Sequence, residues 1–328
     1  MIYIETNSKD AAYNFACEEF CMKKFKDYPK VMLIWQADNW IMLGRYQVAE
    51  SEINKKVVEK IGAKIVRRAT GGGTIYTDLG NLLYTFIQPV KNLEEVDFSK
   101  VCKPVVDALN KIGINAELQG RNDILIDGKK ISGNAQTIEG NVLCSHGSLL
   151  YNANLDRLQE LLLVDDAKIK SKGISSIRSR VTNIIDYIPI PYSVCEFWDK
   201  LKEALFQEEN VTFYKFTSED IEEIEEIKNN KYSTWKWNYG KAPEFNYRNE
   251  IRFPKGKISV TLNIIGGIIE ECKINGDFLG LIPIEPLEKA VVGTEYNYDC
   301  ITKKLDKVDF NYYFRGISKD EFLKCIFG

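Results

Sequence analysis

Only one histidine, His146, stands in this chain of 328 residues, which excludes a metal centre built on paired imidazoles. The eight cysteines include no Cys-x-x-Cys pair. Cys17 and Cys21 lie four apart in an apolar helical pattern, so free thiols on a buried face are expected rather than metal ligands. Long apolar runs are missing as well, and Met1 to Thr6 has no basic segment ahead of an apolar core. A cytoplasmic protein with no membrane span is expected. Nor does either charge dominate. A formal net charge of -3 argues against a general nucleic-acid binder and favours a small anionic ligand in a local pocket. Internal repeats and low-complexity segments are absent.

The composition that remains, 45% hydrophobic and 28% charged, can bury a large core, and the length suffices for two domains. The most informative stretch is Arg67-Arg68-Ala69-Thr70-Gly71-Gly72-Gly73-Thr74-Ile75-Tyr76-Thr77-Asp78-Leu79-Gly80-Asn81. Three consecutive glycines permit positive φ and carry no side-chain bulk, so the N–H groups of Gly71, Gly72 and Gly73 can curl around an anion beside two arginines. No Gly-Lys-Ser/Thr ending follows, so this is not a nucleotide P-loop, and the dinucleotide fingerprint is also absent. The same glycines would serve equally as a turn between the apolar runs 64–66 and 82–87.

Three further segments carry candidate chemistry. In Gly120-Arg121-Asn122-Asp123-Ile124-Leu125-Ile126-Asp127-Gly128-Lys129-Lys130-Ile131-Ser132-Gly133-Asn134-Ala135-Gln136, the Asp127-Gly128 pair signals a two-residue hairpin. A lysine entering the second strand beside Ser-Gly can meet ligand oxygens as a point charge, while Lys129 reads as an exposed turn lysine. The segment Cys144-Ser145-His146-Gly147-Ser148-Leu149-Leu150-Tyr151 holds the histidine. Lys168 to Asn183 is basic and hydroxyl-rich, which fits a solvated charge run, a nucleic-acid patch or a flap that contacts phosphate.

In this order the segments resemble the lipoate-protein ligase family. Its pattern is Arg-Arg-x-Ser/Thr-Gly-Gly-Gly, then Gly-Arg-Asn-Asp with a Lys-Ile/Val-Ser-Gly strand, then His-Gly-Ser/Thr-Leu-Leu, then Lys-Gly-Ile-x-Ser-Ile/Val-Arg-Ser-Arg-Val-Thr-Asn. Trp35, the run Leu43-Gly44-Arg45-Tyr46-Gln47, Glu50 and Asn54 look like the family's amino-terminal motif. Trp237 to Phe245 resembles the stretch leading to the accessory domain of the longer bacterial ligases. Thr77-Asp78 stands where the family usually has His-Asp, so a hydroxyl is kept and an imidazole is lost.

The resemblance implies an α+β fold. Residues 1–245 would form a catalytic domain with a mixed β-sheet and helices of the biotin/lipoate ligase (class II synthetase-like) type, and residues 246–328 a small α+β accessory domain. It further implies ATP-dependent activation of lipoate to lipoyl-AMP with Mg2+, then transfer to a lysine of an apo lipoyl domain of a 2-oxoacid dehydrogenase or of glycine cleavage H protein. Lys130 would be catalytic. Lipoate and ATP would be held by Arg68, Gly71, Gly72, Gly73, Thr77, Asn122, Asp123, Ser132, Gly133, Ala135, His146, Lys172, Gly173 and Arg178. Asp123 with Asn122 reads as a magnesium site or as a turn-stabilising pair. Two other readings stay open: an octanoyl or lipoyl transferase working through a cysteine thioester, for which Cys144 beside His146 is the candidate, and a non-catalytic lipoate or adenylate sensor.

Periodicity places helices over 11–26, 52–61, 98–112, 194–206, 218–229 and 319–326, the last opened by a Ser318/Glu321 capping box. Strands are expected at 31–35, 40–43, 124–126 and from 130 onward, with a hairpin at Glu139-Gly140-Asn141, and at 252–253, 257–264 and 268–274.

Overall fold

A computed structural model describes residues 1–45, 49, 53–71, 73–91, 96–119, 122–161, 180–207, 209–239, 247–265, 267–276, 284–314 and 316–327. The chain packs as two compact units, Met1–Lys241 and Ala242–Gly328.

The first unit begins β1 (Ile2–Glu5), α1 (Ala11–Lys24), β2 (Val31–Trp35), β3 (Trp40–Leu43), α2 (Lys55–Ile61), β4 (Lys64–Arg67), β5 (Ile75–Thr77) and β6 (Asn81–Pro89). It continues through α3 (Phe98–Lys111), β7 (Glu117–Gln119), β8 (Asp123–Ile126), β9 (Lys129–Glu139), β10 (Val142–Leu150) and α4 (Leu155–Leu161). The closing elements are α5 (Val194–Phe206), β11 (Thr212–Phe213), α6 (Ser218–Ile227) and α7 (Trp235–Asn238). An eight-stranded sheet runs β11-β1-β2-β6-β10-β9-β8-β7. β1 lies parallel to both β11 and β2, and every other pair is antiparallel.

Helices cover both faces of this sheet. Val31, Leu33 and Trp35 pack with Phe15 and Phe20 of α1, while Met32 and Ile34 pack with Val105 and Leu109 of α3 and Phe197 of α5. A strand buried on both sides needs an unbroken apolar run, and Val31 to Trp35 is one. Side-chain caps start the helices where the pattern expects them. Asp10 accepts from the N–H groups of Ala12 and Tyr13, Asp97 accepts from Ser99 N–H, and Ser193 with Glu196 forms a capping box. Beyond α6 the chain continues as a π-helical turn, Lys228–Tyr232, rather than stopping at 229.

A second, three-stranded sheet runs β4-β3-β5 around Ile41, Leu43, Val58 and Tyr76. The glycine stretch falls in its β4-to-β5 connection, so the next strand is β5 rather than the expected run 82–87, which belongs to β6 of the larger sheet. The fold thereby delivers this loop to the larger sheet beside β9 and β10, which pair with each other in its interior.

The second unit is a three-stranded antiparallel sheet, β12 (Tyr247–Phe253), β13 (Gly256–Ile265) and β14 (Ile268–Gly276), with α8 (Glu285–Val291), α9 (Tyr298–Leu305), α10 (Phe310–Phe314) and α11 (Lys319–Phe327). Ile258, Val260 and Leu262 alternate inward on β13 and meet Leu287, Ile301, Phe314 and Phe322. Ser318 and Glu321 exchange both bonds of the capping box ahead of α11. The helices α8, α9 and α10 go beyond the sequence reading.

Candidate active site

A cavity of about 180 Å³ opens where the glycine loop meets β9 and β10. Arg68, Gly73, Asn122, Lys130, Gly133, Ala135 and His146 all line it, although they are drawn from three separate stretches of sequence. Phe15, Met42, Ile75 and Leu83 supply an apolar wall.

Lys130 reaches this cavity through a β-bulge. Ile124 pairs with Ser132 but Leu125 pairs with Lys130, which leaves Ile131 as an extra residue on β9. A bulge reverses the inside-outside alternation beyond it. Ile131 and Ser132 are therefore both buried, and Lys130 faces the cavity together with Gly133 and Ala135. The Lys130 Nζ lies 2.7 Å from Asp123 Oδ1, and the two side chains are 38% and 36% exposed, open enough to meet a ligand. Its backbone is pinned too: Lys130 N–H donates to the Arg180 carbonyl at 2.8 Å, and its carbonyl accepts from Thr182 N–H at 3.0 Å. Lys129 is exposed, as expected.

Arg68 serves the loop from within. It is buried, and Nη2 donates to the carbonyls of Gly71 at 2.9 Å and Gly73 at 2.6 Å while Nη1 donates to Met42 O at 2.9 Å and Nε to Thr70 Oγ1 at 3.1 Å. The planar trans peptide then turns the Thr74 N–H away from the guanidinium. Burial holds the Arg68 pKa down to about 10 against the pull of Glu18. Arg68 thus lines the cavity while its described bonds brace the glycine loop from behind. Arg67 is wholly buried and clamps the end of the unit, donating to Gly44 O at 2.7 Å, Trp237 O at 3.1 Å and Asn238 O at 2.8 Å.

His146 joins a buried polar relay. Its Nδ1 lies 3.0 Å from Glu18 Oε2 and its Nε2 lies 2.8 Å from Thr70 Oγ1, which in turn accepts from Arg68. Thr85 donates to the second oxygen of Glu18. The sequence reading missed Glu18 and Thr70. The available signal was Glu18 itself, a carboxylate on α1 at helical spacing from Phe15, Cys21 and Met22.

Other sequence candidates fall in different places. Ser132 does not line the cavity; it is buried beside Tyr84 and Asn134. Thr77 is also away from it, buried on β5 with no hydrogen-bond partner for Oγ1 among the described residues. Neither residue is among those that line this cavity. Gly72, Lys172, Gly173 and Arg178 lie outside the described residues. Cys144 is buried on β10, and burial pushes its thiol well above the ordinary range with Glu18 adding to the effect. The described cysteines are all free thiols.

A mixed sheet flanked by helices, with a lysine and a glycine loop converging on one cavity, is the class II synthetase-like ligase architecture. The family description "Lipoyl protein ligase A/B catalytic domain" matches residues 10–206, and "Bacterial lipoate protein ligase C-terminus" matches residues 242–326. The chain belongs to the lipoate-protein ligase family, and it is a ligase. It is 40% identical to lipoate-protein ligase LplJ of Bacillus subtilis (strain 168), covering 100% of both chains, and 38% identical to lipoate-protein ligase 1 of Staphylococcus aureus (strain Mu50), covering 99% of this chain and 100% of that one. Among solved structures, the bipartite lipoate protein ligase of an archaeal lipoylation system from Thermoplasma acidophilum, studied with its E2 lipoyl domain, has a TM-score of 0.63 at 26% identity, covering 75% of this chain and 98% of its own. A lipoate-protein ligase A bound with ATP has a TM-score of 0.61 at 25% identity, covering 74% and 98%. Among the described residues no helix is long and apolar enough to cross a membrane.

Proposed function

We propose that this chain activates free lipoate with ATP and transfers the lipoyl group to a lysine of an acceptor lipoyl domain or H protein. The observation that carries this reading is the Lys130 ammonium in one cavity with the glycine loop and an apolar wall of Phe15, Met42 and Leu83. A carboxylate cannot acylate an amine directly, because its oxide is a poor leaving group. Its oxygen attacks the α-phosphorus of ATP, pyrophosphate leaves, and the resulting acyl-adenylate is opened by the acceptor amine with AMP departing. The first step crowds two anions together. Lys130 would donate to the carboxylate oxygen and the α-phosphate, then to the carbonyl oxygen as the amine attacks, placing a fixed positive charge where negative charge develops. The braced loop around Gly71 and Gly73 would offer backbone donors on the other side.

Magnesium uses few carboxylates together with phosphate oxygens, and Asp123 with Asn122 at the cavity rim fits such a donor set. Asp123 also holds Lys130, so any ion there would share this carboxylate with the lysine. Residues 1–245 would carry both steps, with residues 246–328 as the accessory domain. The solved relative with ATP and the one named with its E2 lipoyl domain support the choice of nucleotide and acceptor class.

The test is mass spectrometry of an apo lipoyl domain and apo H protein incubated with the chain, lipoate and Mg2+, with and without ATP. A lipoyl mass shift that needs ATP is expected. No adenylate and no shift from free lipoate, with ATP-independent transfer from an added acyl-carrier thioester, would replace the ligase by a transferase, and lipoate binding with no adenylate formed and no such transfer would leave a sensor.

A further inference from the structure

Tyr84 has no part in the chemistry above, yet it is sealed directly under the cavity. It sits on β6 at 1% exposure, and its hydroxyl donates to Asn134 Oδ1 and lies 3.4 Å from Ser132 Oγ. The ring reaches across Gly147, which pairs with Tyr84 on one side and with Asn134 on the other. A Cβ at Gly147 would come within 2.5 Å of the Tyr84 hydroxyl and 2.3 Å of Asn134 Oδ1, so the contact exists only because that residue is glycine. Phenylalanine would fill the same space; what the hydroxyl adds is the bond.

Asn134 passes the constraint outward. Its N–H and Nδ2 both donate to the Asn122 carbonyl, at 3.0 and 3.1 Å, and Asn122 Nδ2 donates back to the Asn134 carbonyl at 2.7 Å. Asn122 lines the cavity and is followed by Asp123, whose carboxylate holds Lys130 at 2.7 Å. Burial drives the Tyr84 hydroxyl far above its ordinary range, so it remains a neutral donor at any working pH. Buried networks of this kind fix one geometry only while every member is satisfied.

We propose that Tyr84 is a positioning residue that acts through Asn134 on the Asn122–Asp123 corner and so sets where the Lys130 ammonium stands in the cavity. The kinetic consequence rests on the ligase reading; the effect on Lys130 does not. Tyr84→Phe is therefore compared with wild type in two ways. Pulse acetylation with acetic anhydride, read by peptide mass spectrometry, reports Lys130 against its exposed neighbour Lys129. Several-fold faster acetylation of Lys130 with Lys129 unchanged is expected, since loosening Asp123 frees the Nζ; an unchanged Lys130 rate overturns the proposal. Lipoate-dependent ATP–pyrophosphate exchange is expected to show a lower kcat with an unaltered KM for lipoate, and an unaltered kcat counts against it. If wild type shows no exchange, the ligase reading fails while the acetylation comparison still decides the role of Tyr84. Should Tyr84→Phe fail to fold, Asn134→Ser cuts the same link from its other end and is read by the acetylation comparison, since Asn134 also lines the cavity.

Discussion

A Cβ on Gly133 would stand 2.9 Å from the Nζ of Lys130. The atom it would meet is the far end of a flexible side chain, so Gly133→Ala can be accommodated, but only by moving the ammonium. The expected outcome is a melting temperature close to wild type with adenylation slowed by about ten-fold or more, because a small misplacement of a reacting group is costly to rate. Lys130→Ala should lose about a hundred- to a thousand-fold, as for removal of a preorganised charge donor. Exchange kinetics beside a thermal melt separates the two effects, and a Gly133→Ala enzyme with full activity would remove Lys130 Nζ from the reaction.

The Glu18–His146–Thr70–Arg68 relay makes a second prediction. Thr70→Val keeps the volume but leaves the His146 Nε2 and the Arg68 Nε without their shared partner. A loss of about 1–3 kcal/mol is expected for unsatisfied buried groups. The cost should concentrate at the glycine loop, so amide hydrogen exchange is expected to speed up at Gly71 to Thr74 and to stay constant along β13 of the other unit. A uniform change across the chain would mean that Thr70 serves general packing.

How much of this was readable beforehand differs by residue. Lys130, Gly73, Asn122 and His146 could be picked from the sequence because each sits in a short stretch whose neighbours also bear the chemistry. Glu18, Thr70, Tyr84 and Asn134 could not, since each is a single polar residue whose meaning lies in a distant partner; Thr70 and His146 are 76 positions apart. The bulge at Ile131 was equally invisible: the Asp127-Gly128 turn fixes the hairpin's start but not where its ladder slips. Val31 to Trp35 was plain because burial on both faces leaves no polar position to interrupt the run. The helices α8 and α9 were missed because each shows the helical period only once, as Leu287 to Val291 and Ile301 to Leu305.

The buried state of Cys144 separates a ligase from a thioester-forming transferase. A nucleophilic cysteine needs access and a stabilised thiolate, whereas burial has moved this thiol the opposite way. Cys144→Ala is expected to lose about 1 kcal/mol of stability from the small cavity left behind. It should retain ATP-dependent acylation within a few-fold of wild type. Abolished transfer with intact folding, together with an acyl adduct on Cys144 in the wild type, would reverse the assignment.

Asp220 offers a test of stability against pH away from the cavity. It starts α6, where its carboxylate meets Lys24 Nζ at 2.6 Å, the Tyr214 hydroxyl and Thr217 N–H at 3.1 Å. Burial alone would raise its pKa, but these three donors outweigh burial and hold it below its usual value of 3.8. A depressed acid contributes stability that is complete above the unfolded pKa and is lost as the pH falls through the folded one. Asp220→Asn, which removes the charge but keeps the shape, should therefore cost about 2 kcal/mol at pH 7. The gap in melting temperature between wild type and variant should persist down to about pH 4 and close in more acidic solution, where wild-type Asp220 takes up a proton and loses its hold on Lys24. A gap of constant size from pH 7 to pH 2 would assign the cost to the shape of the helix start rather than to its charge.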